Sequence, residues 1–193
     1  MSTQPSTRIL AEEYLARERQ SESKSEYHQG EVFAMGGASQ SHNLIVVNLL
    51  TEIRSQLKRK PCRVYPSDMR LKVEATGMYA YPDVMALCGT PQLEDDRQDT
   101  LRNPGLIIEV LSDSTEAYDR GRKFAQYRKI DSLQEYLMLA QDRCKAELYA
   151  RQPDGRWVLQ EEADSLDSVL ELRSIQCSLA LAEVYDLVLE EAE

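Results

Sequence analysis

Apolar residues recur every three or four positions along residues 38–60, where Leu44, Val47, Leu50, Ile53 and Leu57 mark one stripe of a long helix that Pro61 brings to an end. Residues 11–19 pattern as a shorter helix, and residues 25–35 as a hairpin turning at His28-Gln29-Gly30, where glycine takes a positive φ at no steric cost. A glycine pair, Gly36-Gly37, separates hairpin from helix. Period-two patterning then takes over. Residues 64–65 predict a strand, and residues 69–74 predict another that sets Met69, Leu71 and Val73 inward against Arg70, Lys72 and Glu74 outward. Residues 81–87 and 105–111 are almost continuously apolar, as strands covered on both faces in the middle of a sheet are. The acidic segment 94–102 between them predicts a loop. Asp113 and Glu116 stand at capping-box spacing, which predicts a helix over 114–129. Strands follow at 135–140, 145–151 and 157–160, the last two joined by a turn at Pro153-Asp154-Gly155, and a short helix over 179–189 closes the pattern.

Composition adds bounds. A chain of 193 residues with 42% hydrophobic and 29% charged residues is sized and composed for one globular domain, 1–193. No apolar run approaches the ~18 residues that cross a bilayer, and Met1 to Arg8 lacks the apolar segment of a secretion signal, so the expected location is cytoplasmic, with no membrane partner. Cys62, Cys88, Cys144 and Cys177 have neither CxxC nor zinc-site spacing and read as reduced thiols, Cys88 as a core residue. The net charge of −10 argues against a broad nucleic-acid-coating surface. It leaves room for a local one: Arg54, Lys58, Arg59, Lys60 and Arg63 lie in a stretch without an acid, either as a dipole-favoured helix C-terminus or as a DNA contact.

Two carboxylates interrupt the apolar strands, Asp83 in Tyr-Pro-Asp-Val-Met-Ala-Leu and Glu109 in Gly-Leu-Ile-Ile-Glu-Val-Leu. An unpaired charge in a dry interior costs several kcal/mol, so each needs a cation, hydrogen-bond donors or a wet cleft. Mg²⁺ or Mn²⁺ answers both needs at once, since one or two carboxylates with water and substrate phosphate complete such a shell; neutral donors or an arginine would answer them as well. If the helix after Asp113 folds back over its strand, Glu109 and Lys123 fall level, about 13 and 15 Å from the turn. The helical wheel leaves Lys123 beside the apolar stripe, so an exposed, idle lysine competes with one that meets a phosphate.

The segments Tyr27-His28-Gln29-Gly30-Glu31-Val32, Ala34-Met35, Ala38-Ser39, His42-Asn43, Tyr81-Pro82-Asp83-Val84, Ile108-Glu109-Val110-Leu111-Ser112, Ser114-Thr115-Glu116, Tyr118-Asp119-Arg120-Gly121, Lys123 and Ser132-Leu133-Gln134-Glu135-Tyr136 together resemble the Uma family of restriction-endonuclease-like proteins, of the PD-(D/E)XK nuclease superfamily, over about residues 11–150. The resemblance implies an α/β (α+β) fold: a mixed sheet flanked by helices, a core over about 25–151 with an N-terminal helix and hairpin, and a C-terminal extension over 152–193. It implies a metal-dependent DNA endonuclease in which Asp83 and Glu109 bind the ion. Leu111 stands where the superfamily's usual lysine falls, and Lys123 resembles its migrated replacement. Glu31 and His42 match as accessory residues; His42 could equally cap its helix, and Glu31 end a turn. Asp119 and Tyr127, a helical turn either side of Lys123, orient it or are solvated partners, the latter being the plainer expectation. A homodimer is expected if both strands of a duplex are cut. The alternatives are a catalytically idle binding or assembly module, or one subunit of a restriction or mobile-element system with a separate DNA-reading partner.

Overall fold

The computed structural model describes residues 8–113 and 115–189; Met1 and Ser114, at the starts of the expected N-terminal segment and second helix, lie outside the described residues. In chain order the elements are α1 (Ala11–Glu18), β1 (Ser25–His28), β2 (Glu31–Ala34), α2 (Gln40–Gln56), β3 (Cys62–Pro66), β4 (Arg70–Val73), β5 (Met78–Ala80), β6 (Val84–Cys88), β7 (Thr100–Leu101) and β8 (Leu106–Leu111). A broken helix follows, made of α3 (Glu116–Tyr118), a π-helical turn (Asp119–Lys123) and α4 (Phe124–Tyr127). Then come β9 (Glu135–Ala140), β10 (Ala146–Arg151), β11 (Trp157–Ala163), β12 (Val169–Leu172), β13 (Cys177–Ala180) and α5 (Leu181–Val184).

A six-stranded mixed sheet, ordered β11-β10-β9-β8-β6-β3, holds the two continuously apolar strands at its centre, and every residue of β8 and β9 is buried. β8 runs antiparallel to β6 and parallel to β9. Alternate residues of these strands feed two cores. Val84, Ala86, Leu106, Ile108 and Val110 face Ile45, Leu49, Ile53 and Leu57 of the α2 segment together with the 170–185 tail. Met85, Leu87, Ile107 and Leu111 face Phe124 and Tyr127 of α4 and the inner side of a second sheet, ordered β2-β1-β5-β4-β7. Helix α2 therefore covers one side of the main sheet and the broken helix part of the other, as the mixed α/β expectation has it.

Several elements differ from the pattern. Helix α2 ends at Gln56, and its buried stripe is Ile45, Leu49, Ile53 and Leu57, with Val47 57% exposed; the i, i+4 row touches the sheet, whereas the three-residue steps drift around the cylinder. Arg70, expected outward, is buried against the Tyr81 hydroxyl (2.9 Å) and Thr100 (3.1 Å) because Thr100 of β7 pairs beside it. Strands β5, β7, β12 and β13 are too short for their periodicity to stand out, and β13 with the one-turn α5 replaces the expected helix over 179–189. The thiol expectation is corrected too. β3–β6 register places Cys62 opposite Cys88, the two form a disulfide, and Cys88 is exposed. Cys144 and Cys177 are free. Among the described residues no helix is long and apolar enough to cross a membrane.

Candidate active site

Asp83 sits one residue before β6. Continuing the β6–β8 register beyond Val84↔Ile108 sets it directly across from Glu109, so the two acids share a face. The backbone locks them together: the Val110 amide donates to Asp83 Oδ2 at 2.8 Å, and the Asp83 amide approaches Glu109 Oε2 at 3.4 Å. Glu109 is 3% exposed, while the Asp83 side chain is 16% exposed and marks the mouth of the site.

The opposite wall is the broken helix. Plain α-helical winding leaves Lys123 beside the apolar stripe; the π-helical turn inserts an extra residue and swings it inward, to 5% exposure. Its ammonium meets Glu109 Oε1 at 2.9 Å, Glu26 Oε1 at 3.1 Å and Asp119 Oδ1 at 3.5 Å. Tyr127 donates its hydroxyl to Glu109 Oε1 at 2.9 Å, and its ring lies 6.0 Å from the ammonium. Burial opposes the charge on Lys123, but Glu109, Tyr127, Glu26 and Asp119 outweigh it and hold the lysine well above its usual range. Burial raises Glu109 well above the ordinary carboxylate range; Lys123 pulls it down, and Asp83 and Asp119 push it up again. Asp119 is raised as well, chiefly by burial.

His42 Nε2 lies 3.2 Å from Asp83 Oδ2. The Ser39 hydroxyl caps α2 by accepting the His42 amide at 3.1 Å, which leaves the imidazole free to lean over the acid. The structure thus brings Asp83, Glu109, Lys123, His42, Asp119 and Tyr127 into one cluster. Asp119 and Tyr127 are buried and not solvated, which corrects the plainer expectation for them. Glu31 stands at the hairpin turn opposite His28, and among the described residues no hydrogen bond or ion pair joins it to the acids or Lys123. Arg54, Lys58 and Arg59 lie at the other end of α2 from His42, Arg54 about 18 Å along the axis, apart from the cluster.

Sequence reasoning missed Glu26. It is buried on β1, pairs with Lys123, and accepts the Tyr118 hydroxyl at 3.1 Å. The available signal was the alternation Glu26-Tyr27-His28: an acid and a histidine on one face of a short strand next to two glycine-marked turns.

A mixed sheet with a helix on each side, two carboxylates paired across adjacent strands and a lysine closing over them define a restriction-endonuclease-like protein. The Uma2 family model, described as "Putative restriction endonuclease", matches residues 11–182, and the chain belongs to this family. It is 41% identical over 156 residues to the uncharacterized protein sll1609 of Synechocystis, covering 80% of this chain and 88% of that protein. It is 38% identical over 183 residues to slr1290 of the same organism, also uncharacterized, covering 94% and 93%. A crystal structure from Anabaena variabilis, described as a "putative nuclease belonging to DUF820", has the same fold, with a TM-score of 0.75 at 18% identity over 94% of this chain and 99% of that one.

Proposed function

We propose that this chain is a divalent-metal-dependent endonuclease that hydrolyses phosphodiester bonds in DNA, with Asp83 and Glu109 as metal ligands and Lys123 as the catalytic cation. The observation that carries the reading is the facing pair Asp83–Glu109 with an ammonium 2.9 Å from the second acid. The donor set fits Mg²⁺. Lys123 and Tyr127 both engage Glu109 Oε1, leaving Oε2 turned toward Asp83, and Asp83 Oδ1 has no hydrogen-bond partner among the described residues. Among those residues there is no group of three or more His, Cys, Asp or Glu placed to cage a metal, so water and substrate phosphate would complete the shell, as they commonly do for Mg²⁺. When bound, the ion would supply Lewis acidity and help generate the nucleophile.

The protein's own groups do the rest. The Val110 amide and His42 fix the Asp83 carboxylate, while Tyr127 and Lys123 fix that of Glu109. Lys123, held charged, offsets the negative charge that grows on the phosphate and orients the attacking water. Glu26 and Asp119 hold the lysine side chain at that height. Two copies would serve the two strands of a duplex, which sedimentation of the protein with and without DNA would check. Asp83→Asn is expected to lower Mg²⁺-dependent DNA cleavage at least about a hundredfold. Unchanged cleavage by the rigorously purified variant would falsify the assignment.

A second reading has its own support: Glu109, almost fully buried and already paired, also suits a structural ion pair in a binding module. Calorimetric titration with Mn²⁺ separates the two, since the nuclease reading requires binding that Asp83→Asn removes.

A further inference from the structure

We propose that Arg122, seated on Phe33, is the contact for the phosphate next to the scissile one, so that the β1–β2 hairpin and the π-helical turn form the track along which a DNA strand enters. This inference rests on the nuclease reading and locates its substrate surface.

The π-helical turn that carries Lys123 inward leaves its neighbour Arg122 exposed. The Arg122 guanidinium lies 5.8 Å from the centroid of the Phe33 ring, and one of its terminal nitrogens is 3.2 Å from His28 Nδ1. Guanidinium groups only donate, so Nδ1 accepts and the imidazole is neutral. Burial lowers the affinity of His28 for a proton, and Arg122 and Lys129 lower it further, which keeps that acceptor in place. The neighbouring Arg120, by contrast, is spent on acids and bridges Glu116 and Glu147. Arg122 has no carboxylate within ion-pair distance among the described residues, so an aromatic ring and an imidazole orient its charge without cancelling it.

The position follows from strand register. Phe33 pairs with Glu26, so both side chains project from the same face of the hairpin, and Glu26 touches Lys123. Glu26 and His28 are two residues apart on β1, about 7 Å, a separation comparable to that of neighbouring phosphates along one strand. Arg122 is therefore about one nucleotide step from the catalytic lysine. Phe33, on the outermost strand of the second sheet, is 37% exposed, and Val32 on that strand and Met35 just after it are exposed as well. Exposed Lys129 adds a second positive charge near His28, while Glu31 marks the acidic far end at the turn. A planar, donor-only fork seated over a ring matches a phosphodiester in charge and shape.

The test uses the full-length Asp83→Asn protein, in which binding is measured without cleavage, and a fluorescein-labelled DNA duplex followed by anisotropy across a salt series. Adding Arg122→Ala is expected to weaken binding about tenfold and to lower the slope of log K against log salt by about one. Arg122→Lys is expected to keep the slope and lose part of the affinity. A paired Arg54→Ala/Lys58→Ala change at the far end of α2 is expected to leave both unchanged. If that pair shifts the slope and Arg122→Ala does not, the track lies elsewhere and the inference is overturned. If Arg122→Ala shifts the slope while the wild type cleaves no DNA in Mg²⁺, the contact stands and the nuclease reading falls.

Discussion

At the scale of single residues, the molecule concentrates three carboxylates, those of Glu26, Glu109 and Asp119, around one lysine, with a fourth, Asp83, facing Glu109 across the strands. Lys123→Met strips the cluster of its positive centre and leaves buried acids facing one another. The expected loss is about 3–5 kcal/mol of unfolding free energy near pH 7, measured by urea denaturation. That loss should shrink as the pH is lowered, because protonating a carboxylate removes the uncompensated charge; a constant penalty would mean that the lysine acts by packing alone. The two strand acids were legible in the sequence because a charge within an apolar run has no cheap explanation. Lys123 was legible in height but not in direction, since a helical wheel assumes regular winding and the inserted residue breaks it. Glu26 gave almost no signal: an acid near the start of a four-residue strand looks like any solvated edge position until its partner is seen.

At the scale of elements, long periodic segments were readable and short ones were not. Helix α2 and strands β6, β8 and β9 match their patterns to within a few residues, whereas β5, β7, β12 and β13 owe their existence to pairing partners that no local window contains. Element α1 shows how such pieces are fastened. Arg19 at its C-terminus bonds Asp99 at 2.8 Å, next to β7, and reaches Asp95 as well. The Arg19 guanidinium holds the Asp99 carboxyl down at about 2, against its ordinary 3.8. A depressed carboxylate contributes stability that is present above its unfolded pKa and is lost as the pH falls through the folded one. The clasp should therefore be at full strength above about pH 5 and fade as the pH falls through 2. After discounting for solvent screening it is worth about 1 kcal/mol. Arg19→Ala is expected to cost that amount at neutral pH and progressively less as the pH falls through 2, so parallel acid-unfolding curves for the two proteins would contradict the assignment.

At the scale of the whole molecule, the C-terminal extension completes the core. Leu170, Leu172, Leu179, Leu181 and Val184 are fully buried over α2 and the main sheet. A buried acid ties that tail down: Glu135, at the start of β9, accepts the Arg173 and Ser174 amides, each at 2.9 Å. Glu135→Ala is expected to cost about 2–3 kcal/mol, since hydrogen bonds to a charged group are lost and two amides are left dry; thermal unfolding within a degree of wild type would rule the clamp out. Removing residues 169–189 should be harsher, exposing one side of the sheet and sending the protein into aggregates visible by light scattering. Asn48 of α2 donates to the carbonyls of Val184 and Asp186, so the helix that carries His42 is itself held by the end of the fold. During synthesis, then, α2 is expected to gain its full packing only once residues 169–186 have left the ribosome, so the segment that positions His42 should be among the last to become rigid.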